Sequence, residues 1–210
     1  MTTTYSSGLF LNNYSWNSFR PQRALKQPPV PLNQDSVQLN EVSEHKEVPD
    51  VIDQNLVRKY EEMAAKYFQE RPTNFPEGRP YNCCESVLLA LTHYLGVKSE
   101  LIPRIATGIG AGFSLNGFTC GSISAAVMTI GMKYGRDTSI ETPKVTWQKA
   151  NKLIDAFKKR WGAVTCRELT KLDVKTSEGM KEYLRSVHDY ACTERVKFAV
   201  KEAIELLEQS

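Results

Sequence analysis

From Asp53 onward, the apolar residues of this chain fall three and four positions apart, and no stretch alternates as a half-buried strand would. That periodicity restricts the chain to helices packing through one apolar face each. Between Asp53 and Glu70 it places Leu56, Val57, Tyr60, Met63, Ala64, Tyr67 and Phe68 on a single stripe, with Asp53 as cap and Arg71-Pro72 as stop. Asn82 followed by Glu85 is a capping box opening a helix that Gly96 closes. A short glycine-marked helix is expected from about Leu101 to Gly112, and another from a Thr119 cap to Tyr134-Gly135. Thr142-Pro143 opens the next, ending at Trp161-Gly162. Thr165 and Glu168 form a second capping box before a short helix through Leu172, and residues 177–186 and 189–208 complete the set. The fold class expected is all-α, a compact bundle of six to eight helices, without solenoid repeats.

The first part of the chain has another texture. Residues 1–50 carry five of the ten prolines and show neither helical nor strand periodicity. The expected organisation is therefore an extended arm over 1–52 and a helical domain over 53–210. The arm has no acidic residue before Asp35 but holds Arg20, Arg23 and Lys26, the composition of a transit peptide. It also clusters Phe10, Tyr14, Trp16 and Phe19, whereas disordered segments are poor in aromatics. Those rings suit a docking arm for a protein partner, the reading preferred over a transit peptide.

Charge narrows the function classes. Lys plus Arg number 27 against 24 Asp plus Glu, a net charge of +3, which argues against a nucleic-acid binder. No apolar run has the length of a membrane span, and no secretory leader is evident. Five cysteines in 210 residues are too few for a disulfide scaffold but enough for a site. A reducing compartment, cytoplasmic or organellar, is the expected location.

Each cysteine falls in an expected helix N-terminal turn. Cys83 and Cys84 follow Asn82, Cys120 follows Thr119, Cys166 follows Thr165, and Cys192 lies within a turn of Asp189. Unpaired N–H groups and the positive end of the helix dipole favour a thiolate there. At about 100° per residue, Cys120, Cys166 and Cys192 share stripes with inward apolar residues. Cys84 joins the stripe of Val87, Leu88, Leu91 and Leu95, and Cys83 turns away from it. A buried structural thiol shows the same phase, so the residues alone support either a four-cysteine site or core cysteines. The spacing matches no zinc ribbon or finger.

Other side chains carry less. His188, four residues before Cys192, is in reach as a base or alternative ligand, or stands as a partly exposed helix residue. Arg167 beside Cys166 is either a charge partner for a thiolate or a solvated arginine. His45 and His93 show no partner pattern. Lys158-Lys159-Arg160 reads as a solvated face, and Gly108, Gly110 and Gly112 lack the strand and lysine of a phosphate loop.

Asn82-Cys83-Cys84-Glu85-Ser86-Val87-Leu88, Gly117-Phe118-Thr119-Cys120-Gly121-Ser122, Cys166-Arg167-Glu168-Leu169 and Cys192 together resemble the C-GCAxxG-C-C family, over roughly residues 55–207. Ala125 stands where the later glycine of the central motif is usual. The resemblance implies redox activity, with the family cysteines at Cys83, Cys120, Cys166 and Cys192 and not Cys84. Through a related four-cysteine domain of split-Soret cytochromes it also implies a [2Fe–2S] cluster on those four thiolates, giving an electron-transfer protein. Two other functions remain open: a dithiol–disulfide protein without metal, and a non-catalytic accessory subunit anchored by residues 8–19.

Overall fold

The structure is a computed structural model that describes residues 52–74 and 78–209. The expectations for the aromatic arm, Phe10, Tyr14, Trp16 and Phe19 included, and for His45 lie outside the described residues. Within them the protein is all-α, seven α-helices with one 3₁₀ and one π segment and no strand.

Helix α1 spans Gln54–Gln69, and its Asp53 cap accepts from the Asn55 N–H at 2.8 Å. Helix α2, Cys83–Leu95, has the full capping box: Asn82 Oδ1 accepts from the Cys84 and Glu85 N–H groups, and Glu85 Oε2 accepts from the Asn82 N–H at 2.8 Å. Gly96 then leaves the helix in the left-handed conformation. Helix α3 runs Gly121–Tyr134, α4 Lys144–Trp161, α5 Cys166–Thr170 and α6 Ser177–Glu182. The π segment Tyr183–Cys192 continues α6 directly into α7, Thr193–Glu208.

Helix α7 is the centre of the bundle, packing against α1, α2, α3 and α4. Val196, Ala199, Val200, Ala203, Ile204, Leu206 and Leu207 are buried along it. They meet Phe68, Leu88, Leu91, Ile123, Ile130, Leu153 and Phe157, all of them at most 2% exposed. Full burial of such side chains contributes about 1.5–3 kcal/mol each. The last turn of α7 is held from outside: Lys149 Nζ donates to the Leu206 and Gln209 carbonyls at 2.9 and 2.7 Å, and Tyr134 Oη to that of Leu207 at 2.7 Å. These bonds satisfy carbonyls that a helix end leaves without intrahelical partners.

Four expectations need correction. Residues 104–109 form a 3₁₀ segment, and the stretch after it turns left-handed instead of continuing a helix to Gly112. The N-cap of α3 is Cys120, one residue beyond Thr119, which lies in an antiparallel bridge to Thr165. The cap of α4 is Pro143, with no side-chain hydrogen bond, so Thr142 does not cap it. The helices expected over 177–186 and 189–208 are one continuous rod. The π segment keeps its backbone bonded through Asp189, so Cys192 does not stand at a free helix N-terminus. Among the described residues no helix is long and apolar enough to cross a membrane.

Candidate functional site

The N-termini of α2, α3 and α5 and the end of the π segment meet at one end of the bundle, and each brings one cysteine. Cys83, Cys120, Cys166 and Cys192 line a common small cavity with Ala111, Ser122, Tyr183 and Arg195. Cys84 does not line it; it is fully buried among Val87, Leu88 and Leu91, as its phase required. All five thiols are free.

Backbone pairing sets two of the four sulfurs relative to one another. The chain before α3 lies antiparallel to the chain before α5: Cys120 N donates to Val164 O at 2.9 Å, Cys166 N to Phe118 O at 2.6 Å, and Arg167 N to Gly117 O at 3.0 Å. The approach of α2 to α3 depends on Gly121, where a Cβ would lie 2.6 Å from the Cys83 sulfur and 3.1 Å from Cys84 Cβ. Ala125 is itself completely buried in α3, so its small side chain sits in the core.

Electrostatics separates the thiols. The neighbouring Cys83 thiol holds Cys120 below the ordinary thiol range, although burial acts the other way. The N–H groups of Ser122 and Ile123, unpaired in the first turn of α3, and the Ser122 hydroxyl act in the same direction. That hydroxyl is buried and has no hydrogen-bond partner among the described residues. Cys83 is raised well above its usual range by its neighbour Cys120, reinforced by burial and opposed by the Ala111 N–H. Burial pushes Cys166 up to about 12 and raises Cys192 as well. Arg195 donates to the Cys192 sulfur at 3.5 Å, and both Arg195 and the neighbouring Tyr183 hydroxyl oppose that rise at Cys192.

A left-handed turn closes the cavity over Cys83. Ala111, Gly112, Phe113, Ser114 and Leu115 all have positive φ, from 51° to 69°. Only glycine adopts that region without steric cost. The turn is fastened by Gly117 N to Ala111 O at 3.2 Å and Phe118 N to Gly112 O at 3.1 Å.

The secondary candidates fall outside the cavity. His188 stacks on Phe68 at a centroid distance of 4.1 Å and bonds Asp189 Oδ1 through Nδ1 at 2.6 Å. Arg167 forms a half-exposed ion pair with Asp173 at 2.8 Å and only weakly touches the Cys166 titration. Lys158, Lys159 and Arg160 are exposed, and Arg160 lines a surface groove together with Glu61, Glu62 and Glu194. The arginine that does face the thiols is Arg195. Its signal was the three-residue step from Cys192 along one helix face; Ser122, two residues after Cys120, was marked in the same way by its place in the first turn of α3.

Four thiols around one cavity are the donor chemistry of a [2Fe–2S] site. The arrangement does not fit a filled one. The cavity is about 20 Å³, room for about one water-sized body. Among the described residues no group of three or more His, Cys, Asp or Glu side chains is placed to hold a metal ion.

Three helix starts and the end of the π segment thus bring four free cysteines to one cavity. A family model described as "Putative redox-active protein (C_GCAxxG_C_C)" matches residues 81–206, more than half of the chain. The chain belongs to this C_GCAxxG_C_C family. No curated protein and no solved structure matches it.

Proposed function

We propose that the protein is a dithiol–disulfide redox protein in which Cys120 is the attacking thiolate and Cys83 its resolving partner. The observation that carries this reading is the meeting of Cys83 and Cys120 in one enclosed cavity, where Gly121 lets the start of α3 approach the Cys83 sulfur, and the lowered Cys120 thiol supports it. A nucleophilic thiolate needs a lowered pKa, and a resolving thiol needs to be adjacent. Enclosure selects small oxidants. With a peroxide, Cys120 S⁻ attacks one oxygen, the O–O bond breaks, hydroxide leaves and Cys120 becomes a sulfenic acid. Attack by Cys83 sulfur then forms the S–S bond and releases water. Two electrons pass from the thiol pair to the peroxide.

Titration of the reduced protein with hydrogen peroxide tests this. Two thiols should disappear per chain, and peptide mapping should find a Cys83–Cys120 disulfide. Cys120→Ser should abolish the fast step, Cys83→Ser should arrest the reaction at a sulfenic acid, and Cys84→Ser should change neither. A pattern of thiol loss independent of Cys83 and Cys120 would sink the assignment.

The convergence of four sulfurs on one cavity supports a second reading, a cluster on Cys83, Cys120, Cys166 and Cys192. It requires the helix starts to part, and it predicts iron and acid-labile sulfide in anaerobically purified protein, lost in each of the four Cys→Ser variants. The accessory-subunit reading rests on the aromatic residues of 8–19; deleting them would abolish assembly with a partner while cysteine variants still assemble.

A further inference from the structure

Arg195 is 8% exposed, and among the described residues no carboxylate pairs with it. Its Nη2 donates to Leu169 O at 2.8 Å and its Nη1 to Cys192 Sγ at 3.5 Å, while its Nε is buried with no acceptor. Once Cys120 is oxidised, no thiolate from it faces this cavity, and a buried cation without an anion is costly. This one borders the thiol cavity, which is a place for an anion to stand. At about 20 Å³ the cavity admits a single heavy atom with its hydrogens and excludes a tripeptide thiol or a protein chain. The other lining groups are the four cysteines, the hydroxyl residues Ser122, Thr170 and Tyr183, and the apolar Ala111 and Leu169, a lining compatible with a soft anion. We infer that the cavity takes hydrosulfide, with Arg195 as its counter-ion, and that the oxidised Cys83–Cys120 pair converts it to a protein persulfide.

This rests on the dithiol reading and names the substrate class of that site. The step balances without a further reagent. HS⁻ attacks one sulfur of the disulfide, a new S–S bond forms, the old one breaks, and the other cysteine leaves as thiolate. The proton on the attacking sulfur stays with the persulfide or passes to solvent. Closing the disulfide draws Cys83 and Cys120 together, so it takes no room from the remaining cavity. Arg195 here is a positioning residue for the anion.

The test uses full-length protein oxidised with hydrogen peroxide, desalted, and shown by mapping to hold the Cys83–Cys120 disulfide. It is then treated anaerobically with sodium sulfide or with reduced glutathione, alkylated, and mapped again. The expected result is one added sulfur on the Cys83 or Cys120 peptide with sulfide, and an intact disulfide with glutathione over the same time. Arg195→Met should raise the half-saturating sulfide concentration about tenfold, the loss expected for a charge-assisted hydrogen bond, and Arg195→Lys should recover part of it. If Arg195→Met fails to fold, Arg195→Lys and the glutathione comparison decide. A disulfide that forms but gains no sulfur, or that glutathione opens as fast as sulfide does, overturns the inference and leaves the dithiol reading standing. Absence of the disulfide itself overturns both.

Discussion

At Cys120 two effects of burial oppose each other. Withdrawal from water disfavours the thiolate, and the donors that burial brings to the sulfur favour it. Hydrogen bonding prevails, with the Cys83 thiol as the largest contribution and the Ser122 hydroxyl a smaller one. Cys83→Ala removes the first donor and leaves the desolvation in place, so the Cys120 pKa must rise. The midpoint of Cys120 alkylation by iodoacetamide, followed against pH, should therefore move to higher pH. Ser122→Ala should move it in the same direction and by less. A Cys83→Ala profile that stays in place would show that another group holds the thiolate. Cysteine positions were legible before the structure because helix phase alone separates Cys84 from Cys83. The pairing of Cys83 with Cys120 was not, because it depends on the missing side chain at Gly121, whose Cβ would displace the Cys83 sulfur. Arg195 was hidden for another reason: a buried arginine and a solvated one look alike until the opposing element is known, and Arg167, next to a cysteine in sequence, turned out to pair with Asp173.

Among the elements, the turn at 111–115 departs furthest from what local pattern predicts. A run Gly-x-Gly-x-Gly over 108–112 suggested a short helix with close backbone contact. Close contact is there: a Cβ on Gly112 would meet Phe118 N at 2.5 Å. The helix is regular only as the 3₁₀ segment Arg104–Ile109, because beyond it four non-glycine residues adopt left-handed φ, Ala111 among them with its N–H toward the Cys83 sulfur. Such backbone costs about 1–2 kcal/mol per non-glycine residue. Ala111→Gly relieves that cost at the expense of chain entropy in the unfolded state, worth about 0.5–1 kcal/mol, and should leave the protein more stable by about 0.5–1 kcal/mol. Gly112→Ala should destabilise it by about 2 kcal/mol or more, through strain and overlap together. Denaturant midpoints measure both. A loss of stability in Ala111→Gly would mean that Ala111 is not left-handed in solution. The π segment was illegible for a related reason. Asp189 has the chemistry of a helix cap, yet its side chain is spent on His188 and its carbonyl on Gln69 Nε2 at 3.1 Å. The chain therefore passes from α6 to α7 without a break.

For the whole molecule, the proposed dithiol site is also a joint. Cys83 and Cys120 begin the helices α2 and α3, which pack against each other and against α7, and 36 residues separate the two cysteines. A disulfide between them closes a loop of that length. On the chain-entropy model such a closure raises stability by about 3–4 kcal/mol if the native geometry accepts the bond without strain. For a domain of this size each kcal/mol shifts the melting temperature by about 2–4 °C. The oxidised protein should consequently melt about 10 °C above the reduced one in calorimetry with and without reductant. Cys84→Ser should keep the difference, whereas Cys83→Ser and Cys120→Ser should remove it. The size of the gap also reads the function. A large gap makes the disulfide hard to reduce, since the same free energy that stabilises the oxidised fold lowers the reduction potential of the pair. A gap near zero leaves the pair easy to cycle, with the gain in chain entropy consumed by strain at the left-handed turn that bonds Cys83. An oxidised form that melts below the reduced one would mean that α2 and α3 separate when the bond forms, and the dithiol assignment would then lose its structural basis.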